Sequence, residues 1–238
     1  MIDFFEEVTS TNDLAAEGNY RHGDVVWALS QSAGRGQRGH NWSSRAGENL
    51  TMSLVWEPNG LSVKEQFLIA EIAALAIVDT LSELGVEAKI KWTNDIYVGD
   101  KKICGVLIEN RLSGAGVARS VVGVGLNIAQ SEFPEWIPNP TSIKLQTGKE
   151  YAPKEVLELL HAKLMARYDL MASGESTQIE REYNSLLYRK GEEHTYTLPD
   201  GTPLRATLLR VERDGRLMLI DTQGKEHGYH FGEIFFRI

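Results

Sequence analysis

The segment QSAGRGQRGHNWSS, from Gln31 to Ser44, concentrates glycine and arginine in a chain that is otherwise acidic. Three of its residues are glycines, namely Gly34, Gly36 and Gly39. Such glycines let backbone N–H groups approach a ligand closely, and Arg35 and Arg38 add charged donors suited to carboxylate or phosphate oxygens. Trp42, near the end of the segment, could stack on a base or cap an apolar ligand. The pattern predicts a loop that receives an anion; a solvent-exposed hairpin loop with surface arginines is the alternative.

The letters GRGQRG also match G-x-G-x-x-G, the fingerprint of dinucleotide-binding proteins. That fingerprint requires a helix to begin at the loop, because the phosphate sits on the N-terminus of the helix. Here the next residues, HNWSSRAGEN, have no apolar period and lead directly into the strand-like segment LTMSLVW. A phosphate-cradling P-loop is also disfavoured, since no G-K-[ST] follows the glycines.

Two lysines stand one predicted hairpin apart, Lys91 at the start of KWTND and Lys102 within KKICG. A single strand lysine is usually a solvent-facing charge, but two on neighbouring strands, ahead of a strand that contains glycines, are harder to explain in that way. The strand after them, VVGVGLN, ends at Asn127 and contains two glycines. A glycine inside a strand often marks the close approach of a ligand or of another backbone.

Strands joined by short turns must position these residues. Apolar or alternating segments predict strands at Val25–Ser30, Leu50–Trp56 and Val86–Trp92. The turns GDKK and SGAG lead into two more strands, KICGVLIENR and RSVVGVGLNIA. Antiparallel pairing is expected here, because these connections are too short for helical crossovers.

Helices and a small β-rich end complete the predicted organisation. Helices are predicted at Lys64–Leu84, 153–173 and 177–188, the first opened by a capping box of Ser62 and Glu65 and the third by one of Thr177 and Glu180. From about Lys190, five or so short strands alternate with the turns PDG, RDG and TQGK. These predict a catalytic domain at 1–188 and a small all-β domain, a barrel, at 189–238.

Composition restricts the classes of function. The chain has 238 residues and a formal net charge of −8, so a broad basic face for a nucleic-acid backbone is not expected. No apolar run approaches the roughly 20 residues of a membrane helix, and no secretory leader opens the sequence. The single cysteine, Cys104, excludes an intramolecular disulfide, and a cytoplasmic setting is expected.

In combination, these motifs resemble the biotin protein ligases. The matching segments, in chain order, are STN (10–12), QSAGRGQRGHNW (31–42), KWTND (91–95), KKICGVLIE (101–109) and GVGLN (123–127). The resemblance covers essentially the full chain. It implies an α+β fold with a mixed, largely antiparallel sheet and helices packed on it, the class II synthetase-like fold of biotin and lipoate ligases, followed by a small SH3-like barrel.

The resemblance also implies a role for each matching residue. The implied biotin-binding residues are Ser10, Thr11, Asn12, Gln31, Gly34, Arg35, Gly36, Gln37 and Lys102. The implied ATP-binding residues are Arg38, Trp42, Asn94, Asp95 and Asn127. Lys91, Lys102 and Arg35 are implied as catalytic, because they would face the carboxylate and phosphate oxygens. Asp95 is a candidate base for the later transfer step, and no metal ligands are assigned.

The implied reaction has two steps. Biotin's carboxylate attacks the α-phosphate of ATP, with Mg²⁺ assisting, to give biotinyl-5′-adenylate and pyrophosphate. A lysine amine on a biotin carboxyl carrier domain then attacks the acyl carbon and releases AMP. A lipoate or octanoyl ligase on the same fold is the nearest alternative, and a non-catalytic nucleic-acid or ligand-binding module is the second.

Some positions depart from the family pattern. The family usually has arginine where this chain has Gln37 and His40, and proline where it has Thr93, so the loop carries fewer cations than usual. Repressor members carry an N-terminal helix-turn-helix domain, whereas this chain starts at the catalytic strand, and no binding to operator DNA is expected. Family members differ in whether they dimerise, so a monomer or a weak homodimer is expected.

Overall fold

The computed structural model describes residues 1–39 and 41–237, except for the side chain of Arg38, so the predictions on that side chain and on His40 lie outside the described residues. The helices are α1 (Thr11–Glu17), α2 (Phe67–Glu83), α3 (Ile143–Thr147), α4 (Pro153–Ala172) and α5 (Ser176–Ser185). The first strands are β1 (Ile2–Val8), β2 (Val25–Gln31), β3 (Asn49–Trp56), β4 (Lys89–Lys91), β5 (Asp95–Val98), β6 (Lys101–Ser113) and β7 (Gly116–Asn127). The last are β8 (Glu193–Thr197), β9 (Pro203–Val211), β10 (Leu217–Asp221), β11 (Glu226–Tyr229) and β12 (Phe235–Phe236).

Strands β1 to β7 form one sheet in the order β1-β2-β3-β7-β6-β5-β4. Strands β1 and β2 are parallel and are connected through α1, whereas the other pairs in this sheet are antiparallel. The predicted mixed, largely antiparallel sheet is therefore confirmed. The long β6–β7 hairpin and the shorter β5–β6 hairpin bring the KWTND, KKICG and GVGLN segments onto adjacent strands.

Helix α2 is buried on nearly all sides, because the sheet, α4 and α5 surround it. An apolar sequence with no polar stripe is typical of such a central helix. The helix begins at Phe67 and not at Lys64, since residues 63–65 form a separate 3₁₀ turn in which Ser62 accepts from the N–H of Lys64. No helix among residues 1–39 and 41–237 is long and apolar enough to cross a bilayer.

Two other boundaries differ from the prediction. Helix α5 begins at Ser176 with Glu175 as its N-cap and without a side-chain cap, so the predicted capping box at its start is wrong. The side chain of Glu180 instead binds Arg213 at 2.5 Å. The strand predicted over Val86–Trp92 is reduced to β4, because the preceding residues run from α2 into the sheet without pairing.

Strands β8 to β12 form a second sheet, here called the C-terminal sheet, in the order β11-β10-β9-β8-β12. The turns predicted at PDG, RDG and TQGK are present, and their glycines have positive φ. The connecting residues 186–188 pair with β4, through Ile90 N–H to Leu186 O at 2.9 Å and Tyr188 N–H to Ile90 O at 2.8 Å. The C-terminal sheet is thereby joined to the edge of the large sheet.

Helix α2 places a carboxyl group in the core. Glu71 on α2 is 1% exposed, and among the described residues its Oε1 has no hydrogen bond. Burial, with a smaller effect of Glu180, raises the pKa of Glu71 to about 8, and Arg213 offsets this only partly. The group is therefore protonated in the folded protein at neutral pH and ionised in the unfolded chain.

We predict that Glu71→Gln stabilises the protein at pH 7 by on the order of 3 kcal/mol, because 1.36 kcal/mol corresponds to each pKa unit. In the unmodified protein, the unfolded chain loses this proton at about pH 4.5, whereas the folded protein keeps it up to about pH 8. The free energy of unfolding therefore falls as pH rises through this range and is level above it. Urea unfolding at pH 5 and pH 7 measures this difference, which should shrink to about 1 kcal/mol or less at pH 5.

Glu158→Gln is the matched control, since Glu158 is an exposed residue on α4. It should change the free energy of unfolding by no more than about 0.5 kcal/mol at either pH. Equal pH dependence of the Glu71→Gln variant and the unmodified protein would contradict the prediction.

Candidate active site

A cavity of about 340 Å³ opens between the glycine-rich loop (residues 31–44), the middle strands of the large sheet and the C-terminal sheet. That volume lies within the usual range for small-molecule sites. Twelve of the residues implicated by sequence line it: Ser10, Thr11, Asn12, Gln31, Arg35, Gly36, Gln37, Trp42, Lys91, Asn94, Asp95 and Lys102. The structure thus brings residues from α1, β2, the loop and β4–β6 to one place.

A hydrogen-bonded wall forms one side of the cavity. Gln31 Oε1 accepts from both the backbone N–H and the hydroxyl of Thr11, at 2.8 and 3.1 Å. Ser53 Oγ lies 2.8 Å from Thr11 Oγ1 and 2.6 Å from Asn12 Oδ1. Ser53 is fully buried, so this wall is held from behind by β3. Its fixed polar groups suit a ligand with neutral hydrogen-bonding atoms.

Arg35 of the loop lies against two carboxylates. Its guanidinium donates to Glu109 through Nη1 at 3.0 Å and through Nη2 at 2.8 Å, and Nη2 also donates to Asp13 at 2.6 Å. Glu109 accepts from Asn12 Nδ2 at 2.8 Å as well. Burial alone would raise the pKa of Glu109, but the hydrogen bonds from Arg35 and Asn12 outweigh it and lower that pKa.

Glycines form the floor of the cavity, and Trp42 lies on them. A Cβ at Gly125 would be 2.2 Å from Trp42 Cε2, and one at Gly105 would be 3.1 Å from Trp42 Cζ3. A Cβ at Gly123 would be 2.2 Å from Asn12 Oδ1. The glycines in β6 and β7 therefore allow an indole and an amide to pack directly on the backbone.

Two lysines and one aspartate form what we call the lysine cluster: Lys91, Asp95 and Lys102. Lys102 Nζ lies 2.6 Å from Asp95 Oδ1, and Lys91 Nζ lies 3.6 Å from Asp95 Oδ2. Burial lowers the pKa of Lys91, and the charge of Lys102 lowers it further, while Asp95 raises it in part. With one carboxylate for two ammonium groups, this end of the cavity has a formal charge of +1.

Aromatic side chains of the C-terminal sheet reach the lysine cluster. Lys91 Nζ lies 5.2 Å from the ring centre of Phe236 and 5.1 Å from that of Tyr97. Trp92 donates from Nε1 to the carbonyl of Gly215 at 2.9 Å. Phe231, Ile234 and Phe235 also line the cavity. The cavity is therefore shared between the two sheets.

Two implicated residues lie outside the cavity lining. Asn127 is buried and donates from Nδ2 to the carbonyl of Thr141 at 2.9 Å. Gly34 allows its chain to approach the Trp42 carbonyl, which a Cβ would meet at 2.7 Å. Asn94 does line the cavity, but its Nδ2 is bound to Val106 O at 2.8 Å. These contacts position the loop and the hairpins.

Sequence reasoning did not identify several residues that build the site. No pattern in the sequence identifies Ser53, since its contact with α1 depends on the position of β3 in the sheet. Glu109 is part of the motif KKICGVLIE, but nothing in the sequence indicates that it binds Arg35, which is 74 residues away. Phe236 lies far along the chain, and only the packing of the C-terminal sheet brings it to Lys91.

The two ends of the cavity differ in electrostatics. The wall formed by Thr11, Asn12 and Gln31 offers neutral donors and acceptors, and Arg35 beside it is balanced by carboxylates. The lysine cluster at the other end carries net positive charge in a partly desolvated place, where charge acts strongly. This arrangement suits an elongated ligand with a neutral polar head and an anionic tail.

The sequence model of the Biotin/lipoate A/B protein ligase family matches residues 4–127, which are more than half of the chain. The chain belongs to this family. The matched segment contains most of β1 and all of β2 to β7, and so includes the hydrogen-bonded wall, the glycine-rich loop, the glycine floor and the lysine cluster.

The chain is similar to a known relative along most of its length. The bifunctional ligase/repressor BirA of Bacillus subtilis is 29% identical over 227 residues, which are 93% of this chain and 66% of that protein. The chain thus spans about two thirds of the length of that relative.

Solved structures of biotin protein ligases share the fold over nearly the whole chain. The Aquifex aeolicus enzyme in complex with biotin and ATP has a TM-score of 0.84 at 26% identity, with 99% of this chain and 98% of that chain covered. The Leishmania major enzyme in complex with biotinyl-5-AMP has a TM-score of 0.67 at 25% identity, with 96% and 98% covered. The expected fold class is confirmed, including a second antiparallel sheet at the C-terminus.

We predict that Gly125→Ala displaces Trp42, because the new Cβ would overlap the indole ring. Overpacking of this kind costs about 1–3 kcal/mol. The emission of Trp42 can be isolated by subtracting the spectrum of a Trp42→Phe counterpart in each background, and it should shift to the red as the indole becomes exposed.

Gly105→Ala is the graded control, since its Cβ would meet the same ring at 3.1 Å and needs only a small adjustment. Its shift should be clearly smaller. An unchanged Trp42 emission in the Gly125→Ala variant would show that the indole does not lie on this floor in solution.

Proposed function

We propose that this protein is an ATP-dependent biotin protein ligase. It activates biotin as biotinyl-5′-adenylate with release of pyrophosphate, and then transfers biotin to a lysine of a biotin carboxyl carrier domain. The observation that carries the proposal is the pairing, in one cavity, of a neutral hydrogen-bonded wall with the lysine cluster. The similarity to ligases solved with biotin, ATP and biotinyl-5-AMP supports it.

In the first step, the ureido ring of biotin binds the wall of Thr11, Asn12 and Gln31, and its carboxylate points to the lysine cluster. Attack of this carboxylate on the α-phosphate of ATP brings two anions together. Lys91 and Lys102 lower that barrier, because fixed positive charges in a partly desolvated site stabilise the charge that develops. Trp42 lies 5.8 Å from Lys102 Nζ, a position from which it can stack on the adenine.

In the second step, the ε-amine of the carrier lysine attacks the acyl carbon of the adenylate, and AMP leaves. The amine must lose a proton, and Asp95 is the candidate base. Among the described residues that line the cavity, Asp95 is the one carboxylate. Its contacts with both lysines hold it at the end of the cavity where the acyl group would react. There its carboxylate can accept the proton that the amine loses.

We propose that Mg²⁺ binds together with the nucleotide. The part of the chain that the structure describes contains no group of three or more His, Cys, Asp or Glu side chains arranged to hold a metal ion. Mg²⁺ prefers to keep several waters and to bind substrate phosphates with one or two carboxylates. We therefore take MgATP as the substrate and assign no protein-bound metal.

We propose that residues 1–188 form a catalytic domain and residues 189–238 a C-terminal domain. The described sheets agree with this division, since β1–β7 form one and β8–β12 the other. The carrier domain is the protein partner of the proposal, and a cytoplasmic setting suits the free, buried thiol of Cys104.

Exchange of labelled pyrophosphate into ATP tests the proposal. The exchange should occur only when biotin is present. Lys102→Met should lower the exchange rate by about 100-fold or more, as loss of a charge-stabilising group does. Lys101→Met is the matched control, because Lys101 is exposed on the same turn, and its rate should stay within about twofold of the unmodified protein.

A carrier domain offered with labelled biotin or labelled lipoate tests the acyl substrate. Label on the carrier should come from biotin. Label from lipoate and none from biotin would indicate a lipoate ligase in place of a biotin ligase. A lack of pyrophosphate exchange with either acid would indicate the non-catalytic binding module.

We predict a separate effect for the C-terminal sheet. Phe236→Leu removes the ring next to Lys91 but keeps an apolar side chain, and it should slow pyrophosphate exchange about five- to tenfold, which corresponds to about 1 kcal/mol for a cation–π contact. Phe5→Leu, a partly buried phenylalanine outside the cavity lining, is the control and should leave the rate unchanged. Equal rates for both variants would mean that the ring plays no part in positioning Lys91.

A further inference from the structure

The carboxylates of Asp13 and Glu109 have no part in the proposed chemistry, yet they hold a residue of the glycine-rich loop. Arg35 makes three charge-assisted hydrogen bonds to them, of 2.6, 2.8 and 3.0 Å. Two of these form a bidentate pair with Glu109, which is the geometry that gives arginine–carboxylate pairs their strength and orientation. The loop is therefore attached to α1 and β6 by its own arginine.

The charge balance around Arg35 argues against a phosphate-binding role for it. One guanidinium faces two carboxylates, so this group of three has a formal charge of −1, whereas the lysine cluster has +1. Glu109 raises the pKa of Arg35 and Arg35 lowers that of Glu109, as expected for a pair that is charged on both sides. An anionic ligand would be attracted to the lysines and repelled from the carboxylates beside Arg35.

Glu109 also reaches the wall of the cavity. Its Oε2 accepts from Asn12 Nδ2 at 2.8 Å while it accepts from Arg35. Asn12 in turn is held by Ser53 at 2.6 Å. One carboxylate thus connects the glycine-rich loop to a wall residue that is fixed by the core.

We propose that Glu109 is a positioning residue that straps the glycine-rich loop to the biotin-facing wall, and that Arg35 works by closing this loop over the ligand and not by stabilising phosphate charge. The inference rests on the proposed function for the identity of the ligand. It assigns the electrostatic part of adenylation to Lys91 and Lys102. Asp13, which binds Arg35 through a single contact, has a secondary part in the strap.

The strap can be tested without activity by limited digestion with trypsin. Cleavage after Arg38 in the loop, followed by mass spectrometry, should be about tenfold faster in Glu109→Gln and about threefold faster in Asp13→Asn, since a neutral partner loosens Arg35. Glu132→Gln is the matched control, because Glu132 binds Arg45, an exposed arginine beyond the loop, at 3.0 Å. Its cleavage rate should be unchanged.

Kinetics of pyrophosphate exchange separate the strap from direct catalysis. Glu109→Gln and Arg35→Gln should each raise the KM for biotin about tenfold and leave kcat within about threefold, and the double variant should resemble either single one, because both remove the same contact. The KM for ATP should change little. Melting curves establish that each variant is folded.

Three results would overturn the inference. These are an unchanged tryptic rate in Glu109→Gln, a loss of about 100-fold in kcat for Arg35→Gln at an unchanged KM for biotin, and additive effects in the double variant. A failure of the proposed function is distinguishable, because the unmodified protein would then show no biotin-dependent exchange while the tryptic comparison still decides whether Glu109 holds the loop.

Discussion

The site depends on holding two ammonium groups side by side in a partly buried place. Like charges repel, and the repulsion grows as water is excluded. Asp95 relieves it by binding both Lys91 and Lys102, at 3.6 and 2.6 Å. Strand register makes this possible: Lys91 lies opposite Asp95 in the β4–β5 pair, and Lys102 lies opposite Tyr97 in the β5–β6 pair, two residues along β5 from Asp95.

A second constraint is the space above the middle strands. Asn12 of the hydrogen-bonded wall and Trp42 can pack directly on β7 only because Gly123 and Gly125 leave its backbone uncovered. A glycine in a central strand weakens the strand, since it adds backbone entropy and removes packing. The neighbouring β3 and β6 compensate here, because both glycines lie in the part of β7 that is paired on both sides.

Local signals in the sequence sufficed for the strands and turns that carry Lys91 and Lys102, because a short hairpin leaves little choice of pairing. The glycines of VVGVGLN pointed to a close approach at β7, but not to Trp42 and Asn12 as the groups that lie there. Capping boxes were misleading: Thr177 and Glu180 have the right spacing, but α5 begins at Ser176, and Glu180 binds Arg213 from the C-terminal sheet. Ser53 and Phe236 could not be predicted, since their contacts depend on strands that are distant in sequence. Glu109 was visible only as part of a motif.

The edge strand β4 is where the two sheets meet, and this gives the C-terminal sheet influence over the chemistry. Ile90 pairs with residues 186–188 through two backbone hydrogen bonds, and the next residue along the chain is Lys91. Trp92, on the other side of Lys91, is bound to Gly215. A lysine whose two neighbours are both fixed by the C-terminal half of the chain cannot move independently of it. The position of the ammonium group at Asp95 is therefore set jointly by both sheets, although the reacting groups themselves come from one.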